Sequence, residues 1–240
     1  MNRRAILLAA ASKNTSFSRV AADVENFRAF LKSNIGGAWN DSEVALRMNP
    51  TRDQIISAVQ SATDSTYCMV FFAGSGKKVK KKLPWFEMEL SLNSGEIVSE
   101  RELNSGSARC TLILDGSASV SAGRPEDVLE VPSILRGQDQ ESAEYRAHYD
   151  RSLAEAESGL VRVYVTRQEY SAASKQSFAQ LLFEESCNWA MQKMGVLSVG
   201  EAVALAGDAV RLKSGSLRIE YLGGRRLHDF PFAIRHEFHR

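Results

Sequence analysis

The sequence predicts an α/β protein, built on a mainly parallel sheet with helices on both of its faces. Continuous apolar runs, which are typical of buried parallel strands, alternate with amphipathic helical segments through most of the 240 residues. Two of these runs are followed by small-residue segments, Gly74-Ser75-Gly76 and Gly116-Ser117. Because ligands bind beyond the carboxyl ends of the strands in such sheets, we expect a functional site at the edge where both segments open.

The first part of the chain alternates strands with helices. A helix is indicated by Val20, Val24, Phe27 and Leu31 at helical spacing, and a second helix begins at Pro50-Thr51. The opening MNRRAILLAAAS resembles a secretory signal peptide, but its apolar stretch has only seven residues, so we interpret it as a core strand. In order, the elements are a strand over 4–10, a helix over 17–37, a strand over 42–49, a helix over 50–63 and a strand over 65–74.

The remainder of the chain begins with a segment of different composition and pattern. A lysine-rich loop is followed by a segment that alternates like a half-buried hairpin, with its turn at Asn93-Ser94-Gly95. After residue 158 the strand and helix patterns resume. In order, the elements are a basic loop over 77–85, a hairpin over 86–98, a helical turn over 99–106 and a strand over 108–119. A polar segment over 121–158 leads into a surface helix or linker over 144–159. It is followed by a strand over 160–166, helices over 177–194 and 198–212, and a last strand over 216–224.

The composition excludes several classes of function. A net charge of +1 and a mean hydropathy of −0.24 give no reason to expect a nucleic-acid or membrane partner, and no segment is long enough to span a membrane. The three cysteines, Cys68, Cys110 and Cys187, have no metal-ligand spacing and favour no disulfide framework. We therefore expect reduced thiols and a cytoplasmic location, with no metal and no cofactor.

Two motifs resemble those of the caspase and metacaspase peptidases. In that family, a strand that ends in Ser-Gly-His-Gly supplies the catalytic histidine, and a later strand that ends in Asp-x-Cys-x-x-Gly supplies the nucleophilic cysteine. Here the first motif reads Ala73-Gly74-Ser75-Gly76, and the second begins at Asp115 and reads DGSASV. Weaker similarities in the same order, among them NPTRDQIISAV, EIVSERELN and DFPFAI, extend the resemblance over residues 3–234.

The resemblance implies a caspase-like three-layer sandwich formed by a single domain over residues 1–240. Residues 1–120 correspond to the family's large subunit, 121–158 to a polar connecting segment and 159–240 to its small subunit. Caspases pair through an edge strand whereas metacaspases generally do not, and the strand SLRIEYL does not decide between the two, so the oligomeric state stays open.

Serine stands at both positions where the family has its catalytic dyad. Ser75 lies at the histidine position and Ser117 at the cysteine position. A serine hydroxyl is a far weaker acid than a thiol and needs a base beside it, and a second serine cannot act as that base. Because nucleophile and base are both replaced, we expect no ordinary cysteine peptidase activity.

Two aspartates match an acidic pocket by resemblance. Metacaspases hold Arg or Lys between the acidic residue two positions before the cysteine and another in the first helix; Asp115 matches the first and Asp23 the second. Two carboxylates around a slot attract a cationic side chain. The alternative is that Asp115 caps its loop and Asp23 is a solvated helix residue.

Basic side chains and histidines add no further site. The basic loop is interpreted as solvated, and nucleic-acid binding is disfavoured because aromatic side chains are not interleaved with its lysines. These are Lys77, Lys78, Lys80, Lys81 and Lys82. The spacing of His236 and His239 lacks the cysteine or carboxylate cluster of a metal site. His148 is a weak candidate for a substitute base beside Ser117.

The sequence thus predicts a catalytically inactive caspase-like protein that acts as a binding or regulatory module for a protein or peptide. Two alternatives stay open. One is a hydrolase in which Ser117 is the nucleophile and an unorthodox group is the base. The other is an α/β binding domain whose resemblance to caspases is superficial.

Overall fold

A computed structural model describes residues 1–11, 17–80, 86–117, 139–167, 176–213 and 217–236. Strands and helices alternate along these ranges, as the apolar periodicity predicts. The strands are β1 (Arg3–Ala10), β2 (Val44–Met48), β3 (Tyr67–Lys80), β4 (Phe86–Ser91), β5 (Ile97–Ser99), β6 (Arg109–Asp115), β7 (Gly159–Arg167), β8 (Gly195–Ser198), β9 (Leu217–Leu222) and β10 (Pro231–Arg235). The α-helices are α1 (Phe17–Lys32), α2 (Arg52–Gln60), α3 (Asp139–Glu155), α4 (Phe178–Gln192) and α5 (Val199–Lys213), and short 3-10 turns cover Asp41–Glu43 and Glu100–Leu103.

The main sheet has the strand order β2-β1-β3-β6-β7-β9. Its first five strands pair in parallel, and β9 joins β7 antiparallel at one edge. The continuous apolar runs of β1, β3 and β6 are buried because helices or the β4–β5 hairpin cover both faces of the sheet. The predicted mainly parallel α/β sheet is confirmed.

Successive residues of each central strand point to opposite faces and enter two separate cores. In β1, Leu7 joins the core formed with α1, α3, α4 and α5, while Leu8 joins the core formed with α2 and the hairpin. A ladder of aromatic rings fills the first core, where the ring centroids of Phe27 and Phe71 are 4.5 Å apart. The main sheet is thus the middle of three layers, with α1, α3, α4 and α5 on one face and α2 and the hairpin on the other.

The third strand is longer than the sequence predicts. We expected it to end at Gly74 and a basic loop to begin at Lys77, but β3 continues to Lys80. The reason is tertiary: β4 pairs antiparallel with residues 75–80 and supplies hydrogen-bond partners to a segment whose composition is typical of a loop. The predicted hairpin over 86–98 is present as β4 and β5, with Gly95 at φ 88° in its turn.

The helix in the polar segment is not confined to the surface. The side chains of Tyr145, Tyr149 and Leu153 on α3 are buried in the first core. The Tyr149 hydroxyl donates to the carbonyl of Pro231, at 2.8 Å. The expectation of a surface helix or linker over 144–159 is therefore wrong for one face of α3, because three apolar positions at helical spacing suffice to bury it.

A small second sheet was not predicted. Strands β8 and β10 pair antiparallel beside the main sheet, with Leu197 opposite Ala233. Both strands are too short for a recognisable period. Within the described ranges, no helix has the length and apolar character needed to cross a membrane.

Candidate functional site

The ends of β3 and β6 meet at the carboxyl edge of the sheet. The two strands are in register up to Ala73 and Asp115, and two residues later an isolated antiparallel bridge joins Ser75 to Ser117. The amide of Gly76 donates to the carbonyl of Gly116, at 3.2 Å. The structure thus brings together the two serines that sequence analysis places at the dyad positions of the caspase family.

Glycine is required at this junction because backbones approach closely. A Cβ atom added to Gly116 would lie 3.0 Å from the Cα atom of Gly76 and 2.8 Å from the Cε atom of Met88. A Cβ atom added to Gly74 would lie 2.5 Å from the carbonyl oxygen of Ala10. Contacts below 3.0 Å are too short for a real Cβ atom, so the predicted small-residue segments serve strand contact as well as the site.

The hydroxyl of Ser117 faces the carboxylate of Asp115, the last residue of β6. It donates to Oδ1 of Asp115 at 2.5 Å, and the Ser117 amide donates to the same oxygen at 3.0 Å. Asp115 therefore caps the turn after β6, as one interpretation of the sequence expects. A carboxylate is a weak base for a serine hydroxyl, so this contact orients Ser117 without turning it into a strong nucleophile.

A second aspartate lies close to the first. Asp23, on α1, has 5% of its surface exposed, and Asp115 has 4%. The pKa of Asp23 is raised to about 7, chiefly by burial and additionally by the negative charge of Asp115, while a hydrogen bond from Ser177 and the charge of Arg19 act in the opposite direction. Asp23 is therefore not a solvated helix residue, and the two predicted pocket aspartates belong to one electrostatic site.

Sequence reasoning missed Ser177 as part of this site. Its hydroxyl donates to Oδ1 of Asp23 at 2.6 Å, and its oxygen accepts from the amide of Gln180, so Ser177 is also the N-cap of α4. The capping pattern Ser-x-x-Gln is visible in the sequence and marks a helix start. Nothing in that pattern reveals a contact with a residue 154 positions away.

The described histidines lie at the opposite edge of the sheet. The rings of His148 and His236 are 5.4 Å apart, and burial, followed by the charge of His236, lowers the pKa of His148. His148 lies on α3 two residues before Asp150, which contacts Met1 and Arg3 at the amino end of β1. This distance along the sheet argues against His148 as a base for Ser117.

His228 adds no base to the site. The carbonyl of His228 accepts from the amide of Glu157, just before β7 begins, so His228 also lies at the amino edge. His239 falls outside the described residues, which leaves its spacing with His236 untested. Among the residues that the structure describes, no cluster of three or more metal-ligating side chains occurs.

The lysines next to Ser75 are part of a strand. Lys78 forms an ion pair with Glu220 of β9, and its ammonium group lies 4.7 Å from the ring centroid of Tyr164. Lys77 lies 3.7 Å from Glu89. The expectation of a loop is wrong for these lysines, because both lie in β3. The expectation of a solvated side chain is wrong for Lys78, which contacts acidic and aromatic side chains, but it holds for Lys77, whose side chain is 67% exposed. Lys81 and Lys82 fall outside the described residues.

The fold of the chain is that of caspases. The Drosophila initiator caspase Dronc superposes over 97% of this chain and 82% of its own length, with a TM-score of 0.56 and 10% sequence identity. Caspase-1 from Spodoptera frugiperda superposes over 99% of this chain and 92% of its own length, with a TM-score of 0.52 and 13% identity. No protein-family model and no curated protein sequence matches the chain.

These superpositions confirm the caspase-like three-layer fold that the motifs imply. They also overturn the alternative that the resemblance to caspases is superficial. At such low identity the similarity concerns the fold and carries no activity over to this chain. The assignment of Ser75 and Ser117 to the histidine and cysteine positions stays a prediction.

Proposed function

We propose that this chain is a caspase-fold protein without cysteine peptidase activity, which acts as a binding or regulatory module. The observation that carries the proposal is the bridge between Ser75 and Ser117 at the ends of two neighbouring strands. Serine at the proposed histidine position has no group that accepts a proton near neutral pH. Serine at the proposed cysteine position has no thiolate to offer, and its hydroxyl donates to Asp115.

The ligand of this module is a protein or peptide that presents a cationic side chain to Asp23 and Asp115. Two buried carboxylates in one site repel each other and lose hydration, so a cation between them offsets both costs. Arg fits such a pair better than Lys, because its guanidinium group bridges two carboxylates with several donors in one plane. We place this interaction in the cytoplasm, in line with the free thiols of Cys68 and Cys110.

The first experiment restores the proposed dyad. A double variant, Ser75→His with Ser117→Cys, and the parent chain are assayed on short fluorogenic peptides with Arg, Lys or Asp before the cleaved bond. We expect cleavage after Arg or Lys by the double variant only. Each single variant serves as a matched control and is expected to be inactive, since thiol activation needs both groups.

A third substitution tests the acidic site separately from the dyad. Asp115→Asn in the restored background is expected to remove the preference for Arg and Lys while the two introduced side chains remain. Cleavage by the parent chain, or labelling of Ser117 by a serine-directed fluorophosphonate, would instead establish a serine hydrolase and overturn the proposal. A parent chain that neither binds an Arg-containing peptide in calorimetry nor gains activity on restoration would overturn the assignment of the cleft.

A further inference from the structure

A pair of cysteines lies at the other ends of the two strands that carry the candidate site. Cys68 is the second residue of β3 and Cys110 is the second residue of β6, and the two are directly opposite in the parallel register. Each precedes a site serine by seven residues: Ser75 lies in β3, and Ser117 lies two residues after the end of β6. Both thiols are free, and both are part of the core between the sheet and α2.

The register places the two cysteines within the backbone separation that a disulfide requires. Paired strands lie roughly 4.8 Å apart, and residues in register point to the same face of the sheet. Cα separations in disulfides fall roughly between 4.4 and 6.8 Å, so a bond between Cys68 and Cys110 needs little movement of the backbone. Cys187 lies on α4, on the other side of the sheet, and has no cysteine opposite it among the described residues.

A cluster of hydroxyl groups adjoins the two thiols in an otherwise apolar core. The Ser105 and Ser107 oxygens are 2.8 Å apart, and the Ser107 oxygen is 2.9 Å from that of Ser65. Hydrogen bonds with Cys110 and with Ser105 lower the pKa of the Cys68 thiol, against the effect of burial. The same contact with Cys68 raises the pKa of Cys110. Cys110 and Ser105 therefore both stabilise a thiolate at Cys68 by hydrogen bonding.

Ser105 also separates the thiols from a cavity at the surface. The cavity has a volume of about 270 Å³, lies between α2 and the 101–105 segment, and is lined by Val59, Thr63 and Ser105 among others. A small oxidant occupies little more space than a water molecule, whose share of the liquid is about 30 Å³. Ser105 is followed by Gly106, which adopts φ 77° in a segment without regular structure. Access from the cavity to the thiols therefore requires a local opening of this segment.

We propose that Cys68 and Cys110 form an oxidation site at which hydrogen peroxide converts two thiols into an intramolecular disulfide. The Cys68 thiolate attacks one peroxide oxygen, the O–O bond breaks, and hydroxide leaves as water after it takes up a proton. The resulting sulfenic acid is then attacked by the Cys110 sulfur, the S–O bond breaks, and hydroxide leaves with the Cys110 proton as a second water. Two thiols are oxidised and one peroxide is reduced to two waters. The bond ties β3 to β6 at the end opposite the candidate site.

The test uses the full chain in its folded state. Protein is treated with hydrogen peroxide, remaining thiols are blocked with iodoacetamide, and intact mass and peptide mapping locate the product. We expect a disulfide between Cys68 and Cys110 in a monomeric chain, with Cys187 recovered in its alkylated form. Cys187→Ser is the matched control and is expected to form the same bond at the same rate.

Two further variants separate chemistry from a folding defect. In the Cys110→Ala variant, oxidation is expected to stop at a sulfenic acid on Cys68, which dimedone traps. A misfolded chain would not confine dimedone labelling to one thiol. Ser105→Ala removes a hydrogen bond to the thiolate and is expected to slow disulfide formation roughly tenfold. Reaction of Cys68 and Cys110 only in urea, or a bond that requires Cys187, would overturn the inference.

Discussion

Replacing Asp23 by Asn is expected to change how the stability of the protein depends on pH. Burial raises the pKa of Asp23 from its ordinary value of 3.8 to about 7, so the native state holds the proton more tightly than the unfolded chain does. The native state is therefore favoured most below about pH 4, where both states are protonated. This advantage is lost progressively as the pH rises through 7.

The size of the effect follows from the two pKa values. The difference between 3.8 and about 7 corresponds to roughly 4 kcal/mol in the free energy of unfolding. Asn keeps the side-chain oxygen that accepts from Ser177, at 2.6 Å in the native protein, but it carries no charge to bury. Asp23→Asn is therefore expected to be close to neutral near pH 4, and to stabilise the chain by up to about 4 kcal/mol above pH 7.

The assay is urea unfolding of both chains, followed by circular dichroism at several pH values between about 4 and 8. The difference between variant and parent must grow with pH if the buried carboxyl is its cause. Asp53→Asn, an exposed carboxyl on α2, provides a control in which we expect no such growth. A difference that stays constant with pH, or that shrinks as the pH rises, would refute the reasoning.

Two further pairs of substitutions test the close approach of β3 and β6 and the ion pair between β3 and β9. Gly116→Ala places a Cβ atom 3.0 Å from the backbone of β3 and is expected to destabilise the chain by about 2 kcal/mol. Gly207→Ala on α5 places a Cβ atom at an ordinary contact distance, 3.9 Å from Cδ1 of Ile219, and is expected to be neutral or stabilising. Thermal unfolding compares the two variants, and equal effects would contradict the close approach. Lys78→Met removes an ion pair with Glu220 and is expected to cost about 1 kcal/mol in urea unfolding, less at high salt. Lys77→Met, on a side chain that is 67% exposed, should change stability by less than about 0.5 kcal/mol, and a larger loss than for Lys78→Met would contradict this account.

Most of the central sheet was predictable because its signal is local. A continuous apolar run such as that of β1 or β6 is buried on both faces wherever it pairs, so its composition reveals its place in the sheet. The extension of β3 to Lys80 was not predictable in this way. Glycine, serine and lysine are poor strand formers, and this segment is a strand because β4 lies beside it.

The candidate site was likewise only partly predictable from the sequence. The spacing of two small-residue segments after apolar strands was enough to predict that Ser75 and Ser117 open at one edge. The state of Asp23 was not predictable, because its pKa depends on burial under the helices and on Asp115, 92 positions away in the chain. Ser177, the N-cap of another helix, joined the site only through packing of α1 against α4.

By itself, the sequence determined the fold class, most of the strands and helices in their order, and the serines at both proposed dyad positions, since these depend on residue type and local period. Only the tertiary structure decided which groups share an environment. It bridges Ser75 to Ser117, buries Asp23 beside Asp115, and sets Cys68 opposite Cys110. Burial and pairing are properties of the assembled layers, and pKa values and reactivity follow from them.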